Sequence, residues 1–128
     1  MAIELKWESK KLLVMNYLGR VSGLELLDTT LKLGGDPRFD DLRYILSDWS
    51  GIDKANISAE HVKELVAYVT AMSQTNATIK NASVTAKDET GRALVAFYQH
   101  LTKSISWQIQ YFENTQDARS WLLDTPEQ

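Results

Sequence analysis

Asp48, Ser50, Asp53, Asn56 and Ser58 place carboxylate, hydroxyl and amide groups within one short stretch of the chain. They follow the run Leu42-Arg43-Tyr44-Ile45-Leu46, which reads as a buried strand. A strand that ends in polar groups beside a helix start is where open α/β sheets meet ligands and partners. Ser58 heads a strong helical pattern, and bare amides at such a start welcome an anion. A phosphoryl group on Ser58 would be held by those amides. The simpler reading, an N-cap hydroxyl worth ~1 kcal/mol, is preferred. Asp48 is read in the same spirit, as a carboxylate that fixes its turn by accepting loop amides. Ser50-Gly51 lacks the Gly-x-Ser-x-Gly frame of a nucleophile elbow.

Other reactive residue types are scattered. His61 and Glu64 share a helical face with Glu60 beside it, yet a metal would need further ligands from another element. A solvated charged face explains them. His100 is a boundary residue with no acid or nucleophile placed to use it. Gly34-Gly35 is too short, and wrongly placed, for a phosphate cradle. The absence of cysteine removes thiol nucleophiles, redox pairs and thiolate zinc sites together. A net charge of −3 argues against nucleic acid, which needs a basic surface to displace counterions. Neither an enzyme nor a bound cofactor or metal is expected.

The composition, 44% hydrophobic and 24% charged over 128 residues, is that of one ordinary globular domain. It is expected to span residues 1–124, with 125–128 as a tail. Ile3, Leu5 and Trp7 alternate with Glu4, Lys6 and Glu8, so the first segment reads as a strand and not as a signal peptide. No run approaches the ~18 apolar residues of a membrane span. A cytoplasmic address follows. The sequons at Asn56, Asn76 and Asn81 are then coincidental.

After that first strand, Ser9-Lys10 turns the chain into a second, more apolar one at 11–18, giving an antiparallel hairpin. Ser22 caps a helix in which Leu24, Leu27 and Leu31 recur at helical spacing, and Gly34-Gly35 ends it with residues that tolerate positive φ. The loop Asp36-Pro37-Arg38-Phe39-Asp40-Asp41 should tuck Phe39 inward. The third strand covers 43–49, and 50–57 is a polar connection. A helix from Ser58 to Gln74 carries the stripe Val62, Leu65, Val66, Val69 and Met72. A fourth strand at 82–87 is followed by a turn at 88–91. The next helix, with Thr90 as its cap, buries Ala93, Leu94, Phe97 and Leu101. Trp107-Gln108-Ile109-Gln110-Tyr111-Phe112 is a fifth strand, and Thr115 caps a last helix with Ala118, Trp121 and Leu122 inward.

The expected class is therefore α/β, in the order ββαβαβαβα. It forms a five-stranded mixed sheet, antiparallel in its first hairpin and then parallel, with helices mainly on one face. Right-handed crossovers between sequential strands put the main helices on that one side. The other face should show Glu4, Lys6, Glu8, Ser83, Thr85, Gln108 and Gln110. Either Leu13, Met15 and Tyr17 or Leu12, Val14 and Leu18 must join them, leaving an apolar patch suited to a partner or ligand.

On these residues the chain resembles a known group. Asp48-Trp49-Ser50-Gly51-Ile52 is similar to the Asp-Leu-Ser-Gly-Val run of STAS domains, which have the SpoIIAA-like fold of anti-sigma-factor antagonists. The Asp36–Asp40 loop and the closing Phe112, Ala118, Trp121 and Leu122 look like a bacterial SpoIIAA-like branch, also called STAS/CRAL-TRIO-like. In STAS antagonists an Asp-Ser-Ser/Thr sequence follows at the next helix start, and its first serine is the phosphorylated switch. Laid on this chain, those positions are Asn56, Ile57 and Ser58. Ile57 cannot accept phosphate, so the resemblance implies the scaffold without the switch, unless Ser58 has taken that role.

Three functions are weighed. The preferred one is a non-enzymatic regulatory or interaction module that binds a protein partner or a second copy of itself. It would use the open face or the Asp48, Ser50, Asp53, Asn56 and Ser58 edge. The alternative is a carrier of a small apolar or lipid ligand in a pocket between helices and sheet, walled by Met72, Phe97 and Trp121. A small hydrolase is the least supported, because Asp48, Ser50, His61 and His100 are not expected to converge.

Overall fold

A computed structural model describes residues 2–85 and 89–123, Thr90 in its backbone alone. Strands β1 (Ile3–Trp7) and β2 (Leu12–Tyr17) form the antiparallel hairpin. Strands β4 (Tyr44–Asp48), β6 (Lys80–Val84) and β7 (Gln108–Phe112) then add in parallel, in the order β1-β2-β4-β6-β7. Two further strands, β3 (Gly19–Ser22) and β5 (Ile52–Asn56), pair in parallel as a separate ribbon. The sequence reading missed this ribbon. Gly19, at φ +63°, turns the chain out of β2 into it, a conformation that costs a side-chain-bearing residue.

The helices are α1 (Gly23–Gly34), α2 (Ala59–Thr75), α3 (Glu89–Leu101) and α4 (Thr115–Leu123), with a 3-10 turn at Pro37–Asp41 that buries Phe39. Helices α1 and α2 pack on Ile3, Leu13, Met15, Tyr17 and Ile45, and α3 lies beside α2. Helix α4 takes the opposite face, setting Ala118 and Leu122 on Leu12, Val14, Leu46, Ala82 and Val84. Three helices therefore share one face, as expected, while the face expected to be open carries α4. The handedness rule governs a helix that must return to a parallel strand. Helix α4 is followed by no described strand, so nothing in that rule holds it to the crowded side.

This settles the alternation in β2. Leu13, Met15 and Tyr17 meet α1 and α2, and Leu12 and Val14 meet α4. Ser83, expected on the open side, is buried on the α1–α3 side, while Gln108 and Gln110 are exposed. Glu8 bonds Arg119 on α4 through two hydrogen bonds of 2.9 and 2.8 Å.

Ser22 and Ser58 are N-caps, accepting from the amides of Glu25 and His61. The α1 stripe is Gly23, Leu26, Leu27, Thr30 and Leu33, leaving Leu24 and Leu31 in solvent. Gly35 ends α1 in the right-handed region by donating to Leu31 O, so positive φ is not used there. In α3 the inward residues are Gly91, Leu94, Val95 and Tyr98, and Ala93 is exposed. Asn114, rather than Thr115, caps α4 by accepting from Asp117 N–H at 2.8 Å. The expected strand residues Ala86 and Lys87, the turn residue Asp88 and the tail lie outside the described residues, as does any capping by the Thr90 side chain.

Candidate functional site

The end of β4 is held by its own side chains. Asp48 Oδ1 accepts from the Ser50 amide at 3.0 Å and from the Ser50 hydroxyl at 2.6 Å. The carboxylate thus closes the turn, as Asp does generally. Between them, Trp49 stacks on Tyr17 with ring centroids 3.7 Å apart and planes 4° from parallel. A Cβ on Gly51 would sit 2.8 Å from Leu18 Cδ2 and 3.2 Å from the Tyr17 carbonyl, so the Leu18 side chain would have to shift, and the Gly51 carbonyl accepts from Gly19 N–H at 3.0 Å. The turn is thereby tied to the start of β3.

The chain next runs along β5. Ile52, Ala55 and Ile57 point inward, while Asp53, Lys54 and Asn56 are exposed. At the start of α2, Ser58 Oγ accepts from His61 N–H at 3.1 Å, and His61 Nδ1 accepts from Ser58 N–H at 3.0 Å. This is a capping box with histidine in the place usually taken by Glu or Gln. The five expected edge residues are thus strung along one rim beyond the carboxyl ends of β2 and β4. Asp48 and Ser50 bond each other, Ser58 serves the helix, and Asp53 and Asn56 face outward. They do not converge on a point.

Behind this rim lies a cavity of ≈ 100 Å³ between the sheet and α1–α3. Its lining is mostly apolar, with Met15 and Ile45 from the sheet, Val69 and Met72 from α2, and Leu94 and Val95 from α3. Ile52, Ala55 and Ile57 of the ribbon segment close one end. Of the three walls expected from sequence, Met72 is present; Trp121 lies on the α4 side against Phe112. Phe97 is absent from the lining, and Tyr98, one position on, takes that place.

Three phenols, Tyr17, Tyr98 and Tyr111, reach this space. Burial raises the pKa of Tyr17 well above the usual phenol value, with a hydrogen bond to Ser47 opposing the shift. Burial also raises that of Tyr98, and the neighbouring Tyr111 and Tyr17 add to it. Tyr111 is pushed up to about 12 by burial. All three therefore stay neutral. Asn81 Nδ2 donates to Ile45 O at 3.1 Å and to Ser47 Oγ at 3.2 Å, and Thr30 Oγ1 donates to Leu26 O at 2.8 Å. Tyr111 Oη is the buried side-chain polar atom left without a hydrogen-bond partner among the described residues.

Sequence reasoning missed Tyr98 and Tyr111 as cavity residues. The spacing Gly91, Leu94, Val95, Tyr98 was the available signal in α3, and the alternation Ile109, Tyr111 in β7. Among the described residues no group of His, Asp or Glu is arranged to hold a metal, and no helix is long and apolar enough to cross a membrane. His100 is exposed at the end of α3, far along the chain from Asp48 and Ser50.

The sequence matches no family model and no curated protein. Solved structures do match. The unphosphorylated anti-sigma factor antagonist SpoIIAA is similar with a TM-score of 0.61 at 11% identity, over 94% of this chain and 96% of that one. An uncharacterized DUF3478-family protein from Shewanella loihica PV-4, with a SpoIIAA-like fold, is similar with a TM-score of 0.55 at 14% identity. That match covers 94% of this chain and 92% of the other. The chain has the SpoIIAA-like fold, with the mixed sheet and four helices expected of it.

Proposed function

We propose that this chain is a regulatory protein-interaction module without catalysis of its own, and that it meets its partner along the outer side of β5. The observation that carries the reading is the ribbon. Strand β5 is bonded to β3 on one side, and Asp53, Lys54 and Asn56 stand exposed on it. A short strand with one side unpaired can accept another strand, its polar side chains selecting which. The stacked Tyr17–Trp49 pair and the Asp48–Ser50 turn hold that strand in place before a partner arrives. Similarity to SpoIIAA, an anti-sigma factor antagonist, supports a regulatory role by fold alone.

The reading places the protein in the cytoplasm, consistent with a chain free of cysteine. It also dispenses with a phosphoserine switch. Ile57, at the switch position of the STAS pattern, turns into the cavity, and the Ser58 hydroxyl is engaged at the helix start.

Light scattering on the eluting protein, with affinity capture from source lysate, tests the reading. A second copy or a retained protein is expected, lost when Asp53 and Asn56 are replaced together by Ala. A strictly monomeric chain that retains nothing defeats it, and a phosphate adduct at Ser58 in the native protein defeats the part about the switch.

A further inference from the structure

We propose that the cavity between the sheet and helices α1–α3 binds a small, uncharged, mostly apolar molecule bearing one hydrogen-bond acceptor, which Tyr111 Oη holds. The proposal stands beside the interaction reading and does not depend on it. Protein interiors are packed to crystal density, with few voids larger than a water. A space of ≈ 100 Å³ in a single 128-residue domain is therefore unusual. An apolar cavity of about 150 Å³ stays dry and takes benzene, so the scale here is a compact ring or branched chain of about six heavy atoms.

The chemistry of the walls narrows the class. Among the described residues no Lys, Arg, Asp or Glu lines the space, so a charged ligand would be stripped of water without a counter-ion from them. The Asn81 amide and the Thr30 hydroxyl already donate within the protein. Tyr111 Oη is different: it is buried and ends without a partner among the described residues. Native proteins rarely leave such a group unmet, and those that do call for a specific explanation. A neutral phenol donates, so the matching group is a carbonyl, ether or hydroxyl oxygen. The two observations are independent. One gives volume and apolarity, the other a buried donor with no partner among the described residues.

The experiment pairs two molecules of the same size, cyclopentanone and methylcyclopentane, titrated into the full chain by methyl NMR. Both should perturb the Leu94, Val95 and Val69 methyls. In Tyr111→Phe the ketone should bind roughly tenfold more weakly, the loss of one hydrogen bond, while the hydrocarbon is unchanged. Leu94→Trp, which fills the space, should abolish both. Because that variant could perturb folding, its circular dichroism is recorded, and the conservative Tyr111→Phe comparison stands without it. The proposal is overturned if neither molecule binds up to its solubility, as for a cavity that holds only water. Ketone affinity unchanged in Tyr111→Phe, or binding that persists in a folded Leu94→Trp, also overturns it. None of these readouts involves a protein partner, so failure here and failure of the interaction reading are told apart.

Discussion

The imidazole of His61, at the start of α2, fills the space that a Cβ on Gly23, at the start of α1, would need. Two helix amino termini are thereby packed without a spacer, and the same ring closes the capping box through Nδ1.

Gly23→Ala is therefore expected to destabilise the protein by about 1–3 kcal/mol, the usual cost of overpacking, despite the better helix propensity of alanine. Replacing His61 by Ala removes the clash but also the acceptor for Ser58 N–H, at a cost of ~1 kcal/mol. The double variant should consequently be more stable than the sum of the single losses. Urea unfolding of the four proteins measures that coupling, and strict additivity would show that the two residues do not compete for space.

This contact also shows why the α1 face was misread. Leu24, Leu27 and Leu31 are spaced as well for a buried stripe as Gly23, Leu26, Thr30 and Leu33, yet of those three leucines Leu27 alone is buried. Hydrophobicity favours the leucines, while packing against His61 and Met72 favours the glycine side. In α2 no such competition exists, and Val62, Val69 and Met72 are buried as the pattern requires. Strand order was readable because each crossover helix forces a parallel neighbour.

The β3–β5 ribbon was not readable. Its four and five residues pair across about thirty intervening positions, with a register shift at Gly19/Arg20, and its outer side is polar like a loop. The strand-end cluster was visible as residue types, whereas the cavity behind it was not. Ser47, Asn81 and Ser83 look solvent-facing by polarity, yet they are buried on the helix side of the sheet.

Asn76 ties three parts of the core together. Its Nδ2 donates to Phe39 O at 2.9 Å and Leu42 O at 2.8 Å, and its carbonyl accepts from Trp107 Nε1 at 2.7 Å. Asn76→Ala keeps the backbone contact and should cost about 1–3 kcal/mol. Asn76→Asp sets an acceptor-only carboxylate against two carbonyls and should cost more than the alanine variant. Thermal unfolding at neutral pH gives the order; an aspartate variant as stable as the alanine one contradicts these bonds.

The buried phenols set an alkaline limit. Tyr17, Tyr98 and Tyr111 hold their protons more tightly folded than unfolded. Their contribution to stability is complete below the unfolded phenol value of about 10 and is lost as pH rises beyond it. Phenolate absorbance should then appear for these three only as the fold opens, and Tyr111→Phe should flatten the alkaline loss of stability. Full ionisation of every tyrosine with intact far-ultraviolet dichroism would rule this out.

Glu8 and Arg119 join the end of β1 to α4 on the face where that helix lies apart from the other three. Side-chain exposures of 26% and 40% keep the pair wet enough that its net worth is below about 1 kcal/mol. Its hydrogen bonds to Arg119 nevertheless hold the Glu8 carboxyl below its ordinary value of 4.5, against the opposing effect of burial. A lowered carboxyl stabilises the folded state above that ordinary value and ceases to do so as pH falls through the folded one. Glu8→Gln should therefore leave the midpoint of global unfolding nearly unchanged at neutral pH. Amide exchange in α4 should quicken, because the lost contact ties that helix to the β1 end of the sheet. Lowering the pH through the depressed folded value of the Glu8 carboxyl should erase the difference between variant and wild type, since the native carboxyl is then protonated as well. Equal α4 exchange at neutral pH, or a difference that grows in acid, would mean that Ala118 and Leu122 alone seat the helix.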